Sequence, residues 1–223
     1  MSELEARLSA VRSEIADAAR AVGRSPDELS LIVVTKFHPA QLVRELSELG
    51  VRDVGENRHQ EAQAKAAELA DLPLTWHFIG QLQSNKAKAA RRYAQVFHSV
   101  DRPELVRALS SELDSRDCFV QVNLTDDPAR GGVAVEQLSP LVEQLSAAPG
   151  LNLLGLMAVA PLDEPARPAF ARMRELSERI QTIAPTATAL SMGMSHDFAD
   201  AIAEGATHLR IGSAITGNRP NAG

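Results

Sequence analysis

Cysteine is almost absent: Cys118 stands alone in 223 residues, so no disulfide can form within the chain. No apolar run reaches membrane-spanning length, since the richest stretch, 151–160, carries Asn152 and Gly155. Positive charge is not in excess either. Lys plus Arg total 23 against 29 Asp plus Glu, a net charge of −6, which argues against a dedicated nucleic-acid binder. The opening MSELEARLSAVRSEIADAAR alternates acidic and basic residues and lacks the apolar core and cleavage site of a secretory signal. A cytoplasmic protein of a reducing compartment is the expectation. The six histidines form no HxH or HExxH pattern and the lone cysteine no CxxC, so no metal site is expected. Linkers, repeats and low-complexity segments are also missing.

What is present is periodicity. Hydrophobic residues make up 44% of the chain, enough for a large core. Leu4, Leu8, Val11, Ile15, Ala18 and Val22 recur at helical spacing, and Gly23 ends that pattern. From there β-branched runs alternate with amphipathic ones. Strands are predicted over 31–35, 51–55, 75–79, 96–100, 118–124, 151–159, 188–192 and 208–211. Helices are predicted over 39–49, 59–70, 85–93, 103–113, 135–147, 165–183 and 197–204. Alternation of this kind makes parallel βαβ units. The count fits an α/β fold, a single-domain (β/α)8 barrel over 1–223 with an extra N-terminal helix. An open doubly wound sheet shares the alternation and is the competing architecture.

In such a barrel the chemistry sits at the C-terminal strand ends. Lys36 follows the first strand directly. A desolvated lysine there can attack a carbonyl to form a Schiff base, or it can snorkel to solvent or pair with Glu56 or Asp101. Strand seven ends in Ser191-Met192-Gly193-Met194-Ser195, with Ser195 the expected N-cap of the next helix and Asp197 expected to point outward. Strand eight ends in Arg210-Ile211-Gly212-Ser213. Hydroxyls, glycines and a helix N-terminus on neighbouring strand ends suit a phosphate. Arg210 faces opposite to Leu209 and Ile211 and needs an acceptor, either a ligand atom or a carboxylate such as Asp53 or Glu56. His77 and His98 fall within strands, where a hydrogen-bonded core histidine is the usual case, and Cys118 reads as a small core residue. Asn57 orients a ligand or caps a turn. Lys86, Lys88, Arg91 and Arg92 form a basic cluster on one helix, either a solvated face or a site for an anionic partner.

Several segments together resemble the pyridoxal phosphate homeostasis protein family. They are Val34-Thr-Lys36, Gly55-Glu-Asn-Arg-His-Gln-Glu61, His77-Phe-Ile-Gly-Gln-Leu-Gln-Ser-Asn-Lys86, His98-Ser-Val-Asp101, Gly155-Leu-Met157, Ser191-Met-Gly-Met-Ser195 and Arg210-Ile-Gly212. The resemblance runs nearly end to end and implies a fold-type III barrel like the N-terminal domain of bacterial alanine racemase. It implies a cofactor, pyridoxal 5′-phosphate (PLP), held as a Schiff base on Lys36. Ser191, Gly193, Ser195, Gly212 and Ser213 would surround the phosphate, Arg210 would face the pyridine nitrogen, Met192 would be among the cofactor-binding residues, and Asn57 and His77 would lie near the cofactor. The chain departs from the family pattern at Arg58-His59, Gln81, Arg130, Ser213 and Thr216.

Racemases of this fold type need acid–base groups on both faces of the cofactor, one of them a tyrosine from a second domain. This chain has one tyrosine, Tyr93, on an outer helix. The expectation is therefore a monomeric carrier and buffer of PLP in vitamin B6 homeostasis, with apo PLP enzymes as recipients and no catalytic turnover. It is expected to bind neither nucleic acid nor membrane. An amino-acid racemase or other Schiff-base enzyme is the alternative, and a scaffold that uses the basic helix is a third.

Overall fold

The computed structural model describes residues 1–217, so the last six positions of the expected 1–223 domain lie outside the described residues. Eight parallel strands close into a barrel in sequential order, β1 next to β8. They are β1 (Ser30–Val34), β2 (Asp53–Glu56), β3 (Thr75–Phe78), β4 (Val96–Val100), β5 (Arg116–Gln121), β6 (Leu151–Met157), β7 (Ala189–Ser191) and β8 (His208–Ile211). Closure rules out the open sheet. The predicted ends of β4 and β8 match the structure, and the rest shift by a few residues. Such shifts are common, because the last apolar residue of a run often packs beyond the final ladder bond.

Around the barrel run α1 (Glu3–Ala21), α2 (Ala40–Glu48), α3 (His59–Glu68), α4 (Ala87–Ala90), α5 (Pro103–Leu109), α6 (Leu138–Ser146), α7 (Ala166–Ile180), α8 (Phe198–Ala203) and α9 (Ser213–Thr216). The N-terminal helix starts on a capping box: Glu5 N donates to Ser2 Oγ, and Ser2 N donates to the Glu5 carboxylate. Its buried stripe of Leu4, Leu8, Val11, Ile15 and Ala19 packs on α8 and α9. No described helix is long and apolar enough to cross a membrane.

The helix expected over 85–93 is a correction. It becomes a 3-10 turn (Ser84–Lys86) and the short α4, followed by turns in which Arg92 N and Tyr93 N donate three residues back. The basic cluster is split by the same turn. Arg91 is buried, donating to Leu109 O, Asp114 O and the Asp114 carboxylate, whereas Lys88 and Arg92 are exposed. Arg91 is thus a structural clamp. The four-residue α9, absent from the expectation, directly follows the glycine that ends β8.

Nearly all the apolar core lies between barrel and helices, with Leu46, Phe78, Phe97, Leu138, Leu145 and Phe170 fully buried there. Cys118 is part of it, and burial pushes its thiol up to about 12. One glycine sets the β6–β7 approach. A Cβ on Gly155 would sit 1.8 Å from Ala189 O, closer than any side chain is tolerated.

Candidate functional site

A cavity of about 300 Å³ opens where the ends of β1, β7 and β8 converge. Lys36 enters from β1, Met194 and Ser195 from β7, and Arg210, Gly212 and Ser213 from β8. Val34 and Ile79 give it apolar walls, and Thr216 of α9 closes one side. Ser195 ties two of these ends together, its Oγ accepting from Ala214 N at 3.5 Å. The N-cap of α8 is therefore Asp197 instead of the expected Ser195. Nor does Asp197 simply point outward: its Oδ1 accepts from Met194 N at 2.5 Å, and its charge favours the cationic form of Arg210.

The turn that carries Lys36 is held from below by a buried ion cluster. Lys65 of α3 donates to Thr35 O (2.9 Å), Glu56 Oε1 (2.7 Å) and Glu61 Oε1 (2.7 Å), and Thr35 Oγ1 donates to Glu56 Oε1. Burial raises the Glu56 carboxyl against the pull of Lys65, and its second oxygen has no hydrogen-bond partner. Glu61 also accepts from Phe37 N at 2.6 Å, fixing Phe37 at a φ of 68°. A left-handed phenylalanine costs about 1–3 kcal/mol and persists only where its surroundings dictate it. Here Glu61 binds the amide, and the Arg58 guanidinium covers the ring at 4.8 Å from its centroid. The two carboxylates weighed as Lys36 partners are engaged elsewhere: Glu56 with Lys65 and Thr35, Asp101 with Arg102 at 2.6 Å.

Lys36, Ser195, Arg210, Gly212 and Ser213 thus share one cavity, and the other expected residues do not line it. Met192 and Gly193 are buried behind it. A Cβ on Gly193 would lie 2.7 Å from Ala201 Cβ, so this glycine admits α8 against the strand end. Ser191 is fully buried inside the barrel, where it accepts from Arg210 Nη1 at 2.6 Å. His77 lies one layer further in, its ring between His98 (2.9 Å) and Asp53 (3.0 Å). Asn57 lines a separate cavity with Arg58, His59, Gln81 and Lys86, and its Oδ1 is buried without a partner. Arg210 does not take the direct carboxylate expected as an alternative. Its second donor, Nη2, goes to Ala158 O at 2.9 Å, and burial brings its proton affinity down to about 10.

Sequence reasoning missed Phe37, His38 and Thr216 in the cavity wall and the Glu61–Lys65 pair beneath Lys36. The pair had a signal, since Glu and Lys four apart on a helix face commonly meet. Tyr93, noted as the lone tyrosine, is buried with its hydroxyl 3.3 Å from His59 Nδ1, and burial raises its proton affinity.

Comparison with known families settles the ancestry of this arrangement. The pattern of the alanine racemase N-terminal domain family matches residues 7–220, nearly the whole chain. The chain belongs to that family. Within it, relatives named pyridoxal phosphate homeostasis protein align almost end to end. The one from Pseudomonas aeruginosa is 44% identical, over 98% of this chain and 97% of the relative. That from Escherichia coli is 36% identical, with 98% of both covered. Among solved structures, PipY of Synechococcus elongatus, in its form with PLP bound, superposes with a TM-score of 0.84 at 39% identity over 96% of this chain and 99% of PipY. Alanine racemase from Corynebacterium glutamicum shares the fold at 16% identity and a TM-score of 0.73, with this chain covering 63% of its length.

Proposed function

We propose that this protein binds PLP in the cavity at the ends of β1, β7 and β8 and serves PLP homeostasis as a carrier and buffer. The observation that carries the reading is the meeting of Lys36 with Ser195, Arg210, Gly212 and Ser213 in one space of about 300 Å³. The donors fit the group. The lining brings together an amine, two hydroxyls and a glycine backbone that suit a phosphate, a guanidinium and apolar walls. When bound, PLP supplies an aldehyde that condenses with an amine and a ring that withdraws electrons.

The chain's own residues take the remaining roles. Lys36 provides the attaching amine, and the Lys65–Glu56–Glu61 cluster orients its turn. Ser195 and Ser213 would hold the phosphate, and Arg210 would serve the ring. An arginine at a ring nitrogen keeps that nitrogen unprotonated and weakens the ring as an electron sink, which favours holding the cofactor over turning substrates over. The one tyrosine is buried against His59 and does not line the cavity, so it is not placed as an acid–base group. The resemblance to PLP-bound PipY supports this reading.

We infer a cytoplasmic monomer that passes PLP to apo-enzymes. Large exposed apolar side chains among the described residues are Met1, Val22, Leu113 and Leu162, at separate helix ends and loops, which gives no contiguous patch for self-association.

The test is the visible spectrum of purified protein with added PLP beside Lys36→Ala. The expected outcome is a PLP band in the wild type that the variant lacks. Identical spectra would move the attachment elsewhere. Transfer of bound PLP to an apo-enzyme distinguishes a carrier from a scaffold, and sustained racemisation of single L-amino acids above that by free PLP would replace the carrier with an enzyme.

A further inference from the structure

The inside of this barrel is unusually polar. The interior of such folds is ordinarily filled by layers of bulky branched side chains. Here apolar side chains such as Ile32, Val96, Phe119 and Met157 fill only part of the interior. Through it runs a continuous hydrogen-bonded column. Arg210 Nη1 donates to Ser191 Oγ (2.6 Å), Ser191 Oγ lies 2.8 Å from His98 Nδ1, His98 Nε2 lies 2.9 Å from His77 Nδ1, and His77 Nε2 lies 3.0 Å from Asp53 Oδ1. It leads from the floor of the Lys36 cavity across five strand positions to the opposite mouth of the barrel, where Asp53 opens β2 and its side chain is 38% exposed.

The two ends of this column give its hydrogen bonds a direction. A guanidinium can only donate, so Ser191 accepts there and has its own proton free for His98 Nδ1. An ionised carboxylate can only accept, so His77 carries its proton on Nε2 and offers Nδ1 as an acceptor to His98 Nε2–H. Both ends are satisfied by one uniform arrangement, each imidazole protonated on Nε2 alone. Burial holds the His98 ring well below the ordinary histidine range, and the nearby Arg210 cation acts in the same direction. The other charged or titratable groups facing the column are His208 of β8, whose ring sits edge-on to His98 and Phe119, and Asp117 of β5, which bears on His208.

We propose that Asp53, His77, His98 and Ser191 are positioning residues that lock Arg210, through a one-directional hydrogen-bond column, as a fixed donor to the ring of the cofactor. The role rests on the PLP reading above. An arginine held by Ser191 and Ala158 O cannot swing toward the phosphate end, so the part of it that meets the ring keeps one orientation. The remote Asp53 charge biases the same donor, because each neutral link is polarised in the same sense.

The experiment has two arms. Nitrogen-15 histidine spectra of the protein without added PLP should show His77 and His98 neutral and protonated on Nε2 at pH 7. An Nδ1–H tautomer or an imidazolium at either ring would overturn the column whatever the protein binds. In the second arm, PLP is titrated into wild type, Ser191→Ala and Asp53→Asn, following the visible band. Ser191→Ala should raise the PLP Kd about tenfold and shift the band, as expected for loss of one buried charge-assisted bond. Asp53→Asn, remote and partly exposed, should shift the band in the same direction by less. Unchanged bands and affinities in both variants would reduce the column to a structural feature. No band in the wild type would sink the PLP reading instead, with the tautomer result still standing on its own.

Discussion

Two layers of this molecule separated by a single sheet are built on opposite principles. Between strands and helices, Phe78, Phe97, Phe170 and a field of leucines, valines and alanines make a continuous apolar layer. Inside the barrel, Asp53, His77, His98, Ser191 and Arg210 thread a hydrogen-bonded column through the apolar side chains. Outer residues gain stability in proportion to the apolar area they bury, about 25 cal/mol per Å². Inner residues gain little net stability, since burying polar groups roughly cancels the bonds they make. What they gain is orientation. Stability and chemistry are thereby assigned to different faces of the same strands, and the alternation of side chains along each strand makes that division possible.

The comparison predicts how the layers fail. Phe170→Ala, at a fully buried outer position, should cost about 3–5 kcal/mol in urea denaturation and leave the PLP band of the folded fraction unchanged. A shifted band would show that the layers are coupled. Lys65→Met sits where the outer layer turns polar beneath Lys36. It strands Glu56 and should cost on the order of 3 kcal/mol, while also loosening the Phe37 turn and weakening PLP retention. A stable variant with wild-type retention would contradict the role given to that cluster.

Acid should attack the inner layer. Burial lowers the His208 imidazole from 6.5 to about 4, so between those values the unfolded chain binds more protons than the folded one. Stability then rises with pH through that window and falls on acidification from about 6.5 to about 4, by about 3 kcal/mol from this ring. His98, lowered for the same reason, adds to the loss. Urea midpoints at pH 7, 5.5 and 4.5 measure it, and a flat profile would show the rings titrating normally. The smallest effect belongs to the surface: Arg44→Ala removes the exposed Arg44–Asp71 pair and should leave the urea midpoint unmoved.

Some of the site was readable in advance and some was not, for definite reasons. Lys36 and the β7 and β8 ends were legible, because in a parallel barrel all C-terminal strand ends lie on one rim and residue position along the chain is enough to put them there. Ser191 was assigned to the phosphate for its place in Ser-Met-Gly-Met-Ser, yet it faces inward to Arg210. Nothing in the motif distinguishes its two serines; only the end of β7 does, with Ser191 its last residue and Ser195 beyond it. Arg91 read as one member of a basic helix face, but the chain tightens there and turns it inward onto Leu109 and Asp114.

The order of strands and helices, the closure they favour and the rim they share were set by hydrophobic periodicity, a local property that any window of the chain displays. Tertiary structure alone decided that Asp53 at the far mouth speaks to Arg210 at the near one through residues of β3, β4 and β7. Those partners lie 19 to 93 positions apart, and no local pattern encodes a contact whose geometry exists only after the barrel has closed.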